Sequence, residues 1–400
     1  GNVYMGSSAG RYDTGANNVV IGPAALSKES WTGGAGGGQN IAIGNDAGKE
    51  GSGSSYNTWI GYKAGQNDRN STASLYIGAY AGYYASGAGN MGIGYYAYGS
   101  QTANSEGTYN LAIGNYALQT LDAGASNLAI GYQALKVLDS GASNVAIGRD
   151  ALMSLTSGGS SHHIAIGTGS LDTFYSGGSN IAIGSHSSQS MTTSGYNVAI
   201  GYATLYDNVD ANANVAIGYE ASRELTGGSN VVIGYSAARY RSANMTRGVI
   251  LGYQAYRQSS TNVGAADMVV IGNKAGYMWG DGGYSVIIGS QAGGQTTTTH
   301  NSASSVLIGY KAGFLAASGN GNGRSKNVFI GYGAASGSTS PGDNNISMGY
   351  NVAPVNTGSN NVILGSEAAL VSTGLNASTV IGRQALGGGV ATAEAGIAIG

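Results

Sequence analysis

The sequence predicts an all-β fold, a parallel β-solenoid, and three observations carry that prediction. One glycine recurs from Gly6 to Gly400 in 23 copies spaced 16 to 22 residues apart, and periods of this length are the signature of stacked repeats. An apolar triplet stands immediately before that glycine in nearly every copy. The composition fits neither an ordinary globular domain nor a disordered linker. Gly numbers 72 of 400 and charged residues are 9%, against about 25% in a typical soluble chain. A hydrophobic content of 42% is too high for a Gly-rich segment that buries no core. Three prolines and the absence of a Gly-X-Y period exclude collagen.

Each position of the repeat has a physical reading when counted from the glycine as position 0. Position −1 is Ile in 19 copies, with Met5, Leu251, Met348 and Leu364 as the exceptions, and −3 is Val, Ile, Leu or Met except at Thr58 and Thr379. A short β-branched run bounded by turn formers reads as a strand of about three to five residues. A Gly-rich unit of this size has no room for a capped helix and its turns. Because side chains alternate along a strand, −3 and −1 are expected to point together into the coil as aliphatic ladders. The glycine permits the corner, by positive φ or by close backbone approach. Ala fills +3 in 18 of 22 copies, small enough for an inward site facing a thin core. Asn fills −4 in 15 copies, where its amide is expected to satisfy turn backbone or to stack on the copies above and below. Length varies between +3 and the next −4, in stretches such as Gly33, Gly34, Ala35, Gly36, Gly37 and Gly38, as surface turns tolerate.

These columns predict a single continuous β-solenoid over residues 1–400, with about 22 coils of 16–22 residues. At about 4.8 Å between strands the stack makes a rod of roughly 105 Å. The chain opens and closes inside a repeat, so it is expected to be a piece of a longer fibre.

Position −2 is expected to face away from the coil's own core, where it forms an apolar stripe. It holds Ala112, Ala129, Ala146, Ala165, Ala182, Ala199, Ala216, Val232, Ile250, Val270, Ile287, Leu307, Phe329 and Ile363. A strand solvated on one face alternates polar with apolar, whereas a continuous apolar run signals burial on both faces. The stripe far exceeds what soluble monomers leave exposed. The expectation is an inter-chain seam along −2 in a homo-oligomeric bundle.

The unit Asn-x-Ala-Ile-Gly, with a small residue three positions on, resembles the head repeat of trimeric autotransporter adhesins. Its longer form, Gly131 to Leu135 reading Gly-Tyr-Gln-Ala-Leu, is similar to repeats of bacteriophage tail fibres and other secreted bacterial fibres. The likeness covers the whole chain and draws its specificity from repetition. It implies a left-handed parallel β-roll, a homotrimer, and an extracellular, cell-surface or virion tail-fibre location. The units are longer than the compact adhesin repeat, and no neck, stalk or membrane anchor is visible.

No chemistry-bearing constellation emerges, so no catalytic residue, cofactor or metal site is expected. A net charge of −2 with no basic cluster gives no footprint for nucleic acid. Cys is absent, which removes disulfides and thiol chemistry. No apolar run reaches the roughly 20 residues of a membrane span. His162 and His163 are adjacent, with His186 and His300 elsewhere, and His163 stands in the Asn column, which reads as structural. Asp and Glu lack the spacing of calcium-binding solenoids.

Tyr at +1 is the remaining feature, at Tyr62, Tyr95, Tyr132, Tyr202, Tyr219, Tyr235, Tyr253, Tyr310, Tyr332 and Tyr350. It reads as a stacked ladder, with a lengthwise strip for a cell-surface glycan, a protein receptor or a sister fibre as the functional alternative. The expected function is a structural or adhesive fibre segment, a surface adhesin or self-assembling filament. The alternative is a tail-fibre shaft whose receptor-binding tip lies elsewhere. An ice-binding array would need repeated Thr-x-Thr, which the isolated Thr297, Thr298 and Thr299 do not make.

Overall fold

The computed structural model describes residues 1–27, 37–51, 53–69, 71–99, 107–156, 161–209, 211–240, 245–257, 266–278, 283–294, 304–314, 326–337, 342–387 and 395–400. The threonines 297–299, His300 and the glycine stretch before Gly37 lie outside them. The fold is an all-β parallel β-solenoid, without a helix among the described residues. It comprises two compact units, Gly1–Tyr196 and Asn197–Gly400.

In both units the strand is the triplet −3 to −1 and nothing longer. The first unit carries Val3–Met5, Val19–Ile21, Ile41–Ile43, Thr58–Ile60, Leu75–Ile77, Met91–Ile93, Leu111–Ile113, Leu128–Ile130, Val145–Ile147, Ile164–Ile166 and Ile181–Ile183. Each pairs in parallel with the next and without register slip, so Leu128, Ala129 and Ile130 lie against Val145, Ala146 and Ile147. The second unit repeats the pattern from Val198–Ile200 to Ile397–Ile399. The opposite wall is less regular. Among the described residues it forms strands at Thr120–Ala123, Val137–Ser140 and Ser154–Leu155, also parallel, and isolated parallel bridges such as Ser55 to Thr72 and Thr246 to Ala266.

The glycine at 0 uses both of its freedoms. Gly131 has φ +136°, and a Cβ built on it would lie 2.7 Å from the Gly148 carbonyl carbon one coil on. Neither condition tolerates a side chain, which is why the column never varies.

The strand faces the other way from the sequence expectation. Ala112, Ala129, Ala146, Ala165, Ala182, Ala199, Ala216, Val232, Ile250, Val270, Ile287, Leu307, Phe329 and Ile363 are all buried inside their own chain, none more than 4% exposed. They line the coil interior and cannot form an inter-chain seam. The −3 and −1 ladders, expected inside, are on the outside and half-buried. The physical reason is the thinness of the coil. The facing wall sends in the +4 and +7 side chains, such as Leu135 and Leu138, which leaves at −2 space for one small residue or for the larger one that replaces its neighbour.

That replacement recurs on several coils, although Ala42 is paired with Gly48 and Ile250 with Tyr256. Opposite Ala112, Ala129, Ala146 and Ala165 at −2, +4 is Leu118, Leu135, Leu152 and Leu171, whereas opposite Ala182 and Ala216 it is Ser188 and Ser222. Where −2 is Trp59 or Tyr76, +4 is Gly65 or Gly82, and a Cβ on either glycine would run into the facing ring. Gly92 at −2 is matched by Tyr98 at +4, whose ring stacks on Tyr76 at 5.9 Å. Ile287 and Leu307 are matched by Gly293 and Gly313. On these coils the two positions share one volume.

Asn at −4 is internal and forms a ladder. The Asn127 Oδ1 accepts the Asn144 backbone N–H at 3.0 Å, and its Nδ2 donates to the Gly141 carbonyl at 2.9 Å. Each Asn thus satisfies a backbone donor and a backbone acceptor of the next coil, at the turn where the sheet ladder has not begun. Stacking and backbone satisfaction, the two expectations for this column, are the same contact.

Candidate functional site

The outer sheet face is built by default. Once the small −2 side chain points inward, alternation turns the branched −3 and −1 side chains outward, and in-register stacking makes two aliphatic columns. Most of these side chains are half-buried by their own neighbours. Ile41, Ile233, Ile346, Met348 and Ile381 are 37–40% exposed. Nothing polar in the described repeats interrupts these columns except Thr58 and Thr379.

Beside the aliphatic columns lie the +1 tyrosines, which fall into two kinds. In the second unit Tyr202, Tyr219, Tyr235 and Tyr253 stack face to face at 5.0–5.3 Å with interplanar angles of 8–14°. Tyr310, Tyr332 and Tyr350 do the same at 5.0 and 5.2 Å. These rings use their faces on one another and offer edges outward. In the first unit Tyr62, Tyr95 and Tyr132 stand on alternate coils, with Ala79 and Asn115 between them. Their contacts run through +2 tyrosines that sequence reasoning did not single out. Tyr80 and Tyr96 stack at 4.6 Å and 3°, and Tyr96 and Tyr116 at 6.1 Å and 8°. The +1 rings cross this stack at 85–90°, Tyr62 on Tyr80, Tyr95 on Tyr80 and Tyr116, and Tyr132 on Tyr116. The signal was present as a second aligned column, Tyr80, Tyr96 and Tyr116, one residue after the first.

The titratable groups with the largest shifts are sealed in the core. Asp68 accepts hydrogen bonds on Oδ2 from Trp59 Nε1 at 2.8 Å and Ser71 Oγ at 2.7 Å. Burial pushes its carboxyl up to about 7. His163 takes the place of an Asn in the internal ladder, its Nδ1 accepting the Asn180 N–H at 3.1 Å. Burial against Phe174, 4.7 Å away between ring centroids, pushes it down to about 4. Glu220, buried, takes Arg239 at 2.9 Å and Arg223 at 3.4 Å, and Arg239 and Arg257 lie over the Tyr240 ring at 4.9 and 5.0 Å. These ions are spent on neighbouring coils.

Among the described residues no three His, Asp or Glu side chains gather as a metal site, and no helix is long and apolar enough to cross a membrane. No protein-family model, curated protein or solved structure matches this chain.

Proposed function

We propose that this chain is a non-catalytic structural and adhesive fibre segment that works by self-association through the outer aliphatic face of its sheet. The observation that supports the reading is the pair of aliphatic columns at −3 and −1 in each unit, interrupted among the described residues only by Thr58 and Thr379 and only half covered by their own chain. Soluble monomers rarely leave a continuous apolar patch beyond a few hundred Å² open to water. A second copy of the same face covers it most economically, since in-register columns on identical chains have identical spacing. The seam therefore lies at −3 and −1, not at −2. The repeat's resemblance to trimeric adhesin heads and tail-fibre shafts favours a trimer outside the cell, and the sealing of Asp68 and His163 in the core favours a role without catalysis.

The test is the mass in solution of the wild type and of an Ile130→Lys, Ile147→Lys double variant. Both side chains are outside, so the variant is expected to fold and to fall from oligomer to monomer. A monomeric wild type at micromolar concentration overturns the reading.

A further inference from the structure

We propose that the first unit carries a binding platform for an extended β-1,4-linked glucan, formed by Tyr62, Tyr95 and Tyr132. The inference deepens the adhesive part of the reading above and rests on it only there, because a platform of this kind works on a monomer or an oligomer alike.

Spacing is the first argument. The three rings sit at the same repeat position on every second coil, and two coils advance about 9.6 Å at ordinary strand separation. Neighbouring members are bridged by one intervening ring, Tyr80 or Tyr116, with centroid steps of 5.3–6.1 Å. In an extended β-1,4-linked glucan the sugar orientation alternates, so the same pyranose face recurs once per disaccharide. That repeat matches two coils, whereas an α-1,4-linked chain curves away from a straight row.

Orientation is the second argument. Pyranose rings stack on aromatic faces through their axial C–H groups, so a platform needs faces, not edges. The stack of Tyr80, Tyr96 and Tyr116 occupies ring faces along the axis. The crossing angles of 85–90° turn Tyr62, Tyr95 and Tyr132 across it. None of the three has a face-to-face partner among the described rings, and they are 45%, 40% and 46% exposed. The second unit is the internal contrast: Tyr219 and Tyr235, equally exposed, stack on their neighbours and present edges.

Chemistry is the third. Ala79 and Asn115 alternate with the rings, one clearing space and one whose Oδ1 accepts the Tyr95 backbone N–H at 3.1 Å, which leaves its Nδ2 as a donor. Among the described residues two cations adjoin the strip and each is engaged, Lys63 over the Tyr62 and Tyr80 rings at 5.4 and 5.8 Å and Arg149, next after Tyr132 in the +1 column, with Asp150 at 3.4 Å. The strip suits a neutral chain of hydroxyls.

The experiment is calorimetric titration of the full chain with cellohexaose, with maltohexaose as the α-linked comparison. Cellohexaose is expected to bind and maltohexaose to bind at least tenfold more weakly. Tyr95→Ala is expected to lower cellohexaose affinity by about tenfold, the scale of a lost aromatic anchor, while Tyr95→Phe retains it because stacking needs the ring and not the hydroxyl. Tyr219→Ala is expected to change nothing. Tyr62→Ala and Tyr132→Ala, at the ends of the row, carry the test if Tyr95→Ala does not fold. Equal binding of the two sugars, no binding of cellohexaose at millimolar concentration, or insensitivity to all three alanine variants overturns the proposal. If the alanine variants lower the oligomer mass instead, the strip is a chain–chain contact and the glucan platform is wrong. The mass of the wild type is read separately, so failure of the platform and failure of the fibre reading are distinguishable.

Discussion

At the scale of the residue, a repeat this thin leaves few side chains free to vary. Gly131→Ala forces a non-Gly residue to φ +136° and drives a methyl into the Gly148 backbone. The conformation alone costs about 1–3 kcal/mol and the clash adds to it, so a lowered thermal midpoint is expected, and an unchanged one would show that the corner relaxes. Two of the buried titratable groups, His163 and Asp68, have opposite signs. His163 folds in its neutral form, with the folded value at about 4 against 6.5. Its contribution is complete above pH 6.5 and is lost as pH falls towards 4. Asp68 folds as the acid, at about 7 against 3.8. Its contribution is complete below pH 3.8 and is lost as pH rises through 7. Denaturant titration between pH 4 and 7 separates them. Asp68→Asn is expected to raise stability at pH 7 relative to the wild type and leave a curve that falls on acidification. Adding His163→Asn flattens that curve, and a slope surviving both substitutions assigns the pH dependence to other groups.

At the scale of the coil, stability rests on two shared devices, the −2/+4 volume and the Asn ladder. Leu135→Ala opens a cavity opposite Ala129 and is expected to cost about 2–5 kcal/mol. Ala129→Leu alone overpacks the same space and destabilises too. Combined, they exchange the two sizes, as Ile287 with Gly293 and Leu307 with Gly313 already do. The double variant is therefore expected to recover much of the loss, measured as a coupling energy in a thermodynamic cycle. Simple additivity would break the account of a shared volume. Asn127→Ala strands the Asn144 N–H and the Gly141 carbonyl, about 1–3 kcal/mol for each buried group left unpaired. Asn127→Ser is milder, because Ser74 already holds this position, its backbone N–H on Asn57 at 2.8 Å and its hydroxyl facing the Asn90 N–H at 3.3 Å. Hydrogen exchange at the Asn144 amide reports the difference directly.

At the scale of the molecule, each coil within a unit contacts the next through the same short register, so the stability of each unit accumulates as a sum of nearest-neighbour interfaces. What no sum within one chain covers is the outer aliphatic face. If oligomerisation covers it, the melting temperature rises with protein concentration, and the Ile130→Lys, Ile147→Lys variant loses that dependence while keeping its far-ultraviolet spectrum. A concentration-independent melt in the wild type argues for a chain stable alone.

The period, the strand triplet, the glycine corner, the inward Ala at +3 and the place of His163 in the Asn column were all legible in the sequence. Each depends on local conformation or on a column's chemistry, and a column repeated along the chain states its own constraint. Which face of the strand turns inward was not legible, because alternation alone fixes only that −2 opposes −3 and −1. Large aliphatic residues suggested the inside. The facing wall, which brings Leu118, Leu135 and Leu152 into the same volume as Ala112, Ala129 and Ala146, decided otherwise. Likewise the tyrosine column could be read from spacing, but whether a ring offers its face or its edge depends on the neighbour one coil away, and only the tertiary structure places that neighbour.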